Sequence, residues 1–373
     1  MSVTLTRPTR RRANFHDLRI TDVERLTDQA VAVRLAVPQQ LRADFDFEPG
    51  QHLTLRAEID GEDVRRSYSI CVSRSQWQRT GELRVATARV TGGVMSNWLN
   101  DRARVGDTVA VMTPMGSFTA ATDPAARRHH VAVAAGSGIT PVLSLVTTAL
   151  EEEPASRATL IFGNRRTDSI MFLEELMDCK NRFPERFTLL NVLSREPQDA
   201  ELLSGRIDRD RLERFLATLV PVDDVDEWYL CGPFGMVETA REVLSAHGVD
   251  EHTVRHEVFH VDEASPSPTT AGREAEEEAA AAAVVTLTLD GRTTQVPMRS
   301  RAESILAATL RERPDAPFSC TGGVCGTCRA RLVDGEVTMD RNYALEPEEI
   351  EAGIVLACQS HPVTDTVTLD YDA

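Results

Sequence analysis

Short runs of alternating apolar and polar residues fill the chain between residues 14 and 122. The runs lie at 31–37, 52–56, 83–90 and 108–112. Turn signals such as Asp60-Gly61 separate them, and a period of two residues is typical of strands that bury one face. The pattern predicts that 14–122 forms an antiparallel β-barrel with one helix at 96–102.

The pattern changes between residues 127 and 260, where apolar strands alternate with helical periods. A first strand reads H-V-A-V-A-A-G, the helical run P-V-L-S-L-V-T-T-A-L follows it, and A-T-L-I-F-G-N is the next strand. Strands that alternate with helices are typical of parallel sheets. We therefore predict a doubly wound parallel α/β domain over 127–260.

A third domain is predicted at 284–373, after a segment without hydrophobic periodicity. Residues 261–283 consist mainly of Pro, Ser, Ala and acidic residues, which predicts a flexible linker. Beyond it, two alternating runs flank Asp290-Gly291, a strong hairpin signal, and the helical run A-E-S-I-L-A-A-T-L-R-E-R follows. A cysteine-rich loop comes next.

The charge and the composition exclude several classes of function. With 41 Lys and Arg against 58 Asp and Glu, the net charge is −17, which argues against a nucleic-acid partner. No run of about 20 apolar residues exists to span a membrane, and the basic N-terminus lacks the apolar stretch of a secretion signal. The seven cysteines are an odd number, which disfavours a disulfide framework. We expect a cytoplasmic protein.

Four of the cysteines form a metal-binding pattern. Cys320, Cys325 and Cys328 are separated by four and two residues, and Cys358 follows after 29 more. This is the plant-type [2Fe–2S] spacing, and the glycines between the cysteines let backbone amides approach the sulfurs. The alternatives are a four-cysteine zinc site and unrelated core cysteines. Residues 284–373 resemble plant-type ferredoxins, which implies a β-grasp fold.

Two motifs in the predicted barrel fit a flavin nucleotide. In R-R-S-Y-S-I, Arg66 can hold a pyrophosphate, Tyr68 can cover an isoalloxazine face and Ser69 can reach the flavin N5 edge. The alternative is a strand with one exposed basic residue. Further along, Gly93 and Ser96 begin a predicted helix, whose N-terminus can bind phosphate. The alternative there is a serine N-cap.

Three further motifs follow predicted strands of the α/β domain. A-A-G-S-G-I-T-P stands between a strand and a helix, the context that a pyrophosphate requires. C-G-P-F-G-M ends another strand, although Cys231 fits a small core residue equally well. In L-S-R-E, Ser194 and Arg195 can grip a 2′-phosphate, or Arg195 is an exposed turn residue. This motif predicts a preference for NADPH, with NADH possible.

The order of these motifs is similar to that of the ferredoxin–NADP⁺ reductase superfamily over the first 260 residues. The resemblance implies an FAD barrel followed by a nicotinamide-nucleotide domain. It implies catalytic roles for Ser69, Cys231 and Glu257. It implies cofactor contacts for Arg66, Tyr68, Ser69, Gly93, Ser96, Gly136, Gly138, Thr140, Ser194, Arg195, Cys231, Gly232 and Phe259. In the ferredoxin-like domain it implies four iron ligands, Cys320, Cys325, Cys328 and Cys358.

Within this superfamily, the chain resembles the reductase components of phenylacetyl-CoA epoxidase complexes. The similar stretches include N-F-H-D-L-R-I, L-L-S-G-R-I-D and N-Y-A-L-E-P-E-E-I-E-A-G. Reductases of 3-ketosteroid 9α-hydroxylases share the architecture and A-P-F-S-C, and a redox-sensing flavoprotein is a distant alternative. The resemblance implies an oxidoreductase that passes electrons from NADPH through FAD and the cluster to a diiron oxygenase.

Overall fold

Two units make up the computed structural model, which describes residues 14–260 and 283–373. The first unit covers the predicted barrel and α/β domain, and the second covers the ferredoxin-like domain. The linker predicted at 261–283 lies outside the described residues except for Ala283. That residue is fully buried in the core of the second unit.

An antiparallel sheet of six strands forms the first part of the first unit, in the order β4-β3-β6-β1-β2-β5. Its strands are β1 Phe15–Thr27, β2 Ala30–Ala36, β3 His52–Ile59, β4 Glu62–Ser69, β5 Glu82–Ala88 and β6 Thr108–Met112. A bridge between Ile70 and Val85 connects the two edges, so the sheet is barrel-like as the alternation predicted. Its inward side chains form one apolar core.

Two helices accompany this antiparallel sheet. Helix α2 spans Val94–Asp101 and therefore begins two residues before the predicted helix. Helix α1, Arg74–Thr80, is not predicted from periodicity, because it is only two turns long. Its capping signals are nevertheless in the sequence: Ser73 accepts the N–H of Gln76, and Gly81 ends the helix with a φ of +68°.

A parallel sheet of five strands forms the second part of the first unit, in the order β11-β10-β7-β8-β9. The strands are β7 His129–Ala135, β8 Arg157–Asn164, β9 Phe187–Leu193, β10 Glu227–Pro233 and β11 Val254–His260. The helices are α3 Ile139–Glu152, α4 Leu173–Arg182, α5 Arg209–Thr218 and α6 Phe234–Ala246. Apolar clusters pack α3 and α4 on one face and α5 and α6 on the other, which confirms the doubly wound fold.

The strand order of the parallel sheet reverses between β7 and β10. In open α/β sheets, ligands bind beyond the carboxyl ends of the strands at such a reversal. The glycine turn that follows β7 and the Cys231 segment at the end of β10 therefore lie at this reversal of strand order. The fold thus brings two separate motifs to one edge of the sheet.

The second unit contains a mixed sheet of five strands in the order β13-β12-β18-β14-β16, beside a two-stranded ribbon of β15 and β17. The strands are β12 Val284–Leu289, β13 Arg292–Pro297, β14 Arg329–Asp334, β15 Val337–Met339, β16 Ile354–Leu356, β17 Ser360–Pro362 and β18 Thr366–Asp370. The helices are α7 Ile305–Glu312 and α8 Pro347–Glu351. The hairpin predicted at Asp290-Gly291 connects β12 and β13.

Candidate functional site

The two sheets of the first unit meet at what we call the junction, formed by Ser69, Gly138, Cys231 and Glu257. A Cβ on Gly138 would lie 2.2 Å from the carbonyl oxygen of Cys231, so only glycine permits this contact between the turn after β7 and the end of β10. Cys231 is paired with Glu257 in the parallel register of β10 and β11. Strand pairing thus sets the two side chains beside each other.

Ser69 connects the antiparallel sheet to this edge. Its Oγ, at the end of β4, donates a hydrogen bond to Oε2 of Glu257 at 3.4 Å. Burial raises the pKa of Glu257 to about 8, and burial also raises the pKa of Cys231 well above its usual range, with the nearby Glu257 carboxylate adding to the shift. The three residues predicted to be catalytic therefore come together, with a carboxyl group that holds a proton at neutral pH.

Phe259 lies two residues beyond Glu257 on the same face of β11, because side chains alternate along a strand. It is half-buried and packs against the apolar cluster that includes Cys231. Glu257 and Phe259, both from the H-E-V-F motif, thus lie on the face of the parallel sheet that carries Cys231.

The R-R-S-Y-S motif runs along β4, paired with β3. Arg66 is exposed, and its Nη1 donates to the carbonyl of Arg65 at 2.7 Å. Tyr68 is half-buried, burial raises its pKa, and its hydroxyl hydrogen-bonds Thr87. The Arg66 guanidinium is exposed and forms no ion pair within residues 14–260, so it is available to a ligand.

Gly93 is the N-cap of α2, and no side chain caps the helix there. Ser96 lies in the first turn, where its Oγ accepts the N–H of Val90 at 3.4 Å. The alternative that Ser96 is the N-cap is therefore wrong. A Cβ on Gly93 would lie 2.5 Å from the Ser96 Oγ, so a glycine is required for this turn. Helix N–H groups without a side-chain cap fit a phosphate.

The turn after β7 has the strand–turn–helix geometry that the sequence predicts, with a short 3₁₀ turn at Gly136–Gly138 before α3. Thr140 is buried, and its hydroxyl donates to the carbonyl of Ser137 at 3.0 Å. The Thr140 hydroxyl therefore stabilises the turn, and a contact of Thr140 with the nucleotide stays a prediction. Gly232, at the end of β10, contacts the same turn.

Ser194 and Arg195 follow β9, and a residue that the sequence analysis missed lies next to them. The backbone N–H of Arg195 donates to the carbonyl of Arg165 at 2.8 Å, which brings the ends of β8 and β9 together. Both arginines are exposed, and within residues 14–260 neither forms an ion pair. The sequence feature that could have identified Arg165 is its position directly after a predicted strand, in G-N-R-R.

A second missed residue, Arg84 on β5, connects the antiparallel sheet to helix α4 of the α/β domain at what we call the interdomain bridge, formed by Glu24, Arg84 and Glu175. Arg84 is 1% exposed, and its guanidinium donates to Glu24 at 2.8 Å and to both oxygens of Glu175 at 2.7 and 2.9 Å. It also lies 4.9 Å from the ring centre of Phe172. A bidentate, stacked arginine fixes orientation as well as distance.

In the second unit, the cysteines pair two by two. Cys320 pairs with Cys325, and Cys328 pairs with Cys358. The Cys320 sulfur also accepts backbone N–H groups from Gly322, Val324 and Cys325 at 3.3 to 3.4 Å. The Cys325 thiol and these amides lower the pKa of Cys320 to about 5, against the opposing effect of burial.

This arrangement fits a cluster of two irons. Three cysteines in one loop and a fourth after β16, arranged as two pairs with amides aimed at a sulfur, match four thiolates on a binuclear cluster. The four-cysteine zinc alternative usually pairs two short C-x-x-C segments, a spacing that Cys320, Cys325, Cys328 and Cys358 do not have. Among the described helices, none has the length and apolarity of a membrane span.

Three family models match the chain. The model described as an oxidoreductase FAD-binding domain matches residues 17–120, and the one described as an oxidoreductase NAD-binding domain matches 132–242. The model for a 2Fe-2S iron–sulfur cluster binding domain matches 287–363. The chain is therefore an oxidoreductase with FAD, nicotinamide-nucleotide and [2Fe–2S] domains, as predicted.

Curated relatives align over nearly the whole chain. It is 41% identical over 359 residues to one of the subunits of 1,2-phenylacetyl-CoA epoxidase from Escherichia coli (strain K12), covering 96% of this chain and 98% of that protein. It is 33% identical to the ferredoxin reductase component of 3-ketosteroid-9-alpha-monooxygenase from Rhodococcus rhodochrous, covering 95% and 96%. Among solved structures, phthalate dioxygenase reductase matches with a TM-score of 0.57 and 25% identity, covering 95% and 98%.

Proposed function

Because the chain belongs to the family of oxygenase reductase components that includes the matched 1,2-phenylacetyl-CoA epoxidase protein, we propose that it passes electrons from NADPH to a diiron oxygenase that epoxidises phenylacetyl-CoA. The observation that carries this proposal is the 41% identity, which extends through all three domains. When bound, the nicotinamide nucleotide and FAD would supply two-electron chemistry, and a cluster held by Cys320, Cys325, Cys328 and Cys358 would supply one-electron transfer.

The residues of the junction orient the reacting rings. Ser69 and Glu257 are hydrogen-bonded to each other where the two sheets meet, and Cys231 supplies a small, uncharged surface beside them. Because Glu257 has a pKa of about 8, it is mostly neutral at pH 7, which avoids a buried negative charge where electrons arrive. We assign catalytic roles to these three residues, and Phe259 covers the same face.

The remaining contacts hold the two nucleotides. In this proposal Arg66 and the N-terminus of α2, with Gly93 and Ser96, bind the FAD pyrophosphate, and Tyr68 covers the flavin ring. Gly136, Gly138 and Gly232 let the nicotinamide nucleotide approach the backbone, and the Thr140 hydroxyl keeps their turn in shape. At the ends of β8 and β9, Ser194, Arg195 and Arg165 form a basic site for a 2′-phosphate, which favours NADPH.

Cys320, Cys325, Cys328 and Cys358 are the proposed ligands of the cluster. The domain at 284–373 carries 14 acidic and 8 basic residues, a net charge of −6. An acidic electron donor docks best on a basic acceptor surface, and salt weakens such docking. The three cysteines outside the cluster are free thiols, as expected in a reducing compartment, and we propose a cytoplasmic location.

Reconstitution from purified components tests the proposed partner. Phenylacetyl-CoA is expected to be consumed only when this reductase, NADPH and the oxygenase component of the epoxidase are combined, and the rate should fall as ionic strength rises. The matched comparison uses the oxygenase of a 3-ketosteroid 9α-hydroxylase with its steroid. Turnover of the steroid without turnover of phenylacetyl-CoA would reject the epoxidase in favour of the steroid enzyme.

A further inference from the structure

Gln359 directly follows Cys358, which lies outside the cysteine loop of residues 320–328. Its side-chain Nε2 lies 2.8 Å from the carbonyl oxygen of Thr321 and 3.2 Å from that of Cys358. The same nitrogen lies 3.8 Å from the Cys358 sulfur, within reach of a weak N–H···S hydrogen bond. One amide therefore connects the residue after Cys320 to Cys358, across 38 residues of sequence.

Thr321 adopts a backbone conformation that needs such support. Its φ is +54°, a left-handed value that is unfavourable for a β-branched residue. This reversal of the chain is what turns the following N–H groups of Gly322, Val324 and Cys325 toward the Cys320 sulfur. The Gln359 hydrogen bond to the Thr321 carbonyl holds the reversal in place.

The stem of Gln359 packs on the same loop. A Cβ on Gly323, which has a φ of +78°, would lie 3.2 Å from the Cγ of Gln359 and 3.0 Å from the carbonyl oxygen of Arg341. The backbone N–H of Asp340 donates to the carbonyl of Gln359 at 2.9 Å, which ties the residue to the neighbouring segment. Gln359 thus has little freedom to leave the loop.

We propose that Gln359 is a positioning residue that pins the cysteine loop through Thr321 and, by donating to the Cys358 sulfur, raises the reduction potential of the bound cluster. The inference rests on the four cysteines being the cluster ligands, and it is independent of which oxygenase receives the electrons. Reduction adds negative charge to the cluster and its thiolates, so a donor stabilises the reduced form more than the oxidised form.

Gln359→Leu removes the donor and keeps a side chain of similar size. The equilibrium constant for one-electron reduction of the cluster is expected to fall by about threefold to tenfold. That change corresponds to a reduction potential lower by about 30 to 59 mV. The measurement is a potentiometric titration of the full-length protein, followed by the electron paramagnetic resonance signal of the reduced cluster. Gln295→Leu, an exposed glutamine of the same domain, is the matched control.

The loop-pinning role has its own readout. Release of iron to a chelator is expected to be several-fold faster in Gln359→Leu than in Gln295→Leu. Thr321→Gly keeps the left-handed conformation but removes its strain, because glycine adopts positive φ readily. Combined with Gln359→Leu, it should restore slow iron release. The lowered potential should persist in this double variant, since the donor to Cys358 is still missing.

Three outcomes would overturn the proposal. One is a potential in Gln359→Leu equal to that of the Gln295→Leu control. Another is iron release that Thr321→Gly does not slow in the double variant. The third is loss of the cluster from Gln359→Leu and from the double variant alike. None of these outcomes bears on the oxygenase partner, whereas a failure of the four cysteines to bind iron in the parent protein would reject the ligand assignment itself.

Discussion

The interdomain bridge of the first unit and the cysteine loop of the second unit stabilise their surroundings by different means. The bridge uses an ionised side chain, Arg84, which is 1% exposed and engages two carboxylates. The loop uses backbone N–H groups, three of which point at the Cys320 sulfur. Side chains can be replaced one at a time, whereas backbone donors are present in every sequence that folds the loop.

This difference has a consequence for function. Arg84 ties the antiparallel sheet to helix α4 of the α/β domain, so it acts on the geometry between these two parts of the first unit. The amides of the loop act on the charge of a bound group at close range, so they affect its potential. Substitutions at the bridge should therefore change the rate of flavin reduction, whereas substitutions in the loop should change cluster retention and potential.

The largest effect is expected from Cys325→Ser. Three thiolates hold a binuclear cluster poorly, so iron and labile sulfide should be lost almost completely. Flavin content should remain, because the FAD and nucleotide domains form a separate unit. NADPH-dependent reduction of ferricyanide should persist while reduction of cytochrome c falls. Unchanged activity toward both acceptors would refute the cluster assignment.

Glu153, in the first unit, tests how far ionised side chains support the α/β fold. Burial alone would raise its pKa, but hydrogen bonds from Arg128 and His130 are stronger and lower it to about 2, from 4.5. Glu153→Gln should therefore reduce the free energy of unfolding by about 3 kcal/mol at pH 7.

The pH dependence of this effect has a defined sign. Because the pKa of Glu153 is lower in the folded state, its contribution is complete above about pH 4.5 and is lost as the pH falls toward 2. Denaturant unfolding of wild type and Glu153→Gln should differ at pH 7 and converge in acid. The exposed Glu185→Gln serves as control, and an equal difference at both pH values would contradict the prediction.

Arg84→Leu should have a smaller effect on stability, on the order of 2 kcal/mol, since Glu24 and Glu175 are about 40% exposed and can be solvated by water. Its main result should be a flavin-reduction rate at saturating NADPH that is lower by about tenfold, because the antiparallel sheet and helix α4 are no longer held in a fixed relative position. Arg84→Lys should recover part of the rate. The exposed Arg79→Leu is the control, and a rate equal to that control would count against the bridge.

The smallest effect is expected at the proposed 2′-phosphate site. Arg195→Ala should raise KM for NADPH by about tenfold, equivalent to about 1.4 kcal/mol, and leave KM for NADH nearly unchanged. Steady-state kinetics with both nucleotides measure this. Arg166→Ala is a suitable control, because Arg166 is engaged with Asp168. Equal increases for NADPH and NADH would argue against a phosphate contact.

The sequence alone determined the features that depend on short stretches. Alternating runs predicted the antiparallel sheet, mixed strand and helix periods predicted the parallel sheet, and the spacing of Cys320, Cys325 and Cys328 predicted the cluster loop. Each is a local property: a residue's neighbours within about ten positions set its period, its turn or its distance from the next ligand. The resemblance to a reductase family supplied the order of the domains.

Which distant side chains meet depends on the three-dimensional fold. Ser69 reaches Glu257 across 188 positions and Arg84 reaches Glu175 across 91, and neither pair carries a sequence signal, since a buried arginine and a surface arginine have the same letter. Arg165 joins Arg195 because β8 and β9 are paired in parallel, and Gln359 reaches Thr321 because β16 brings Cys358 to the loop. Strand register and packing fix these contacts, and both depend on the whole chain.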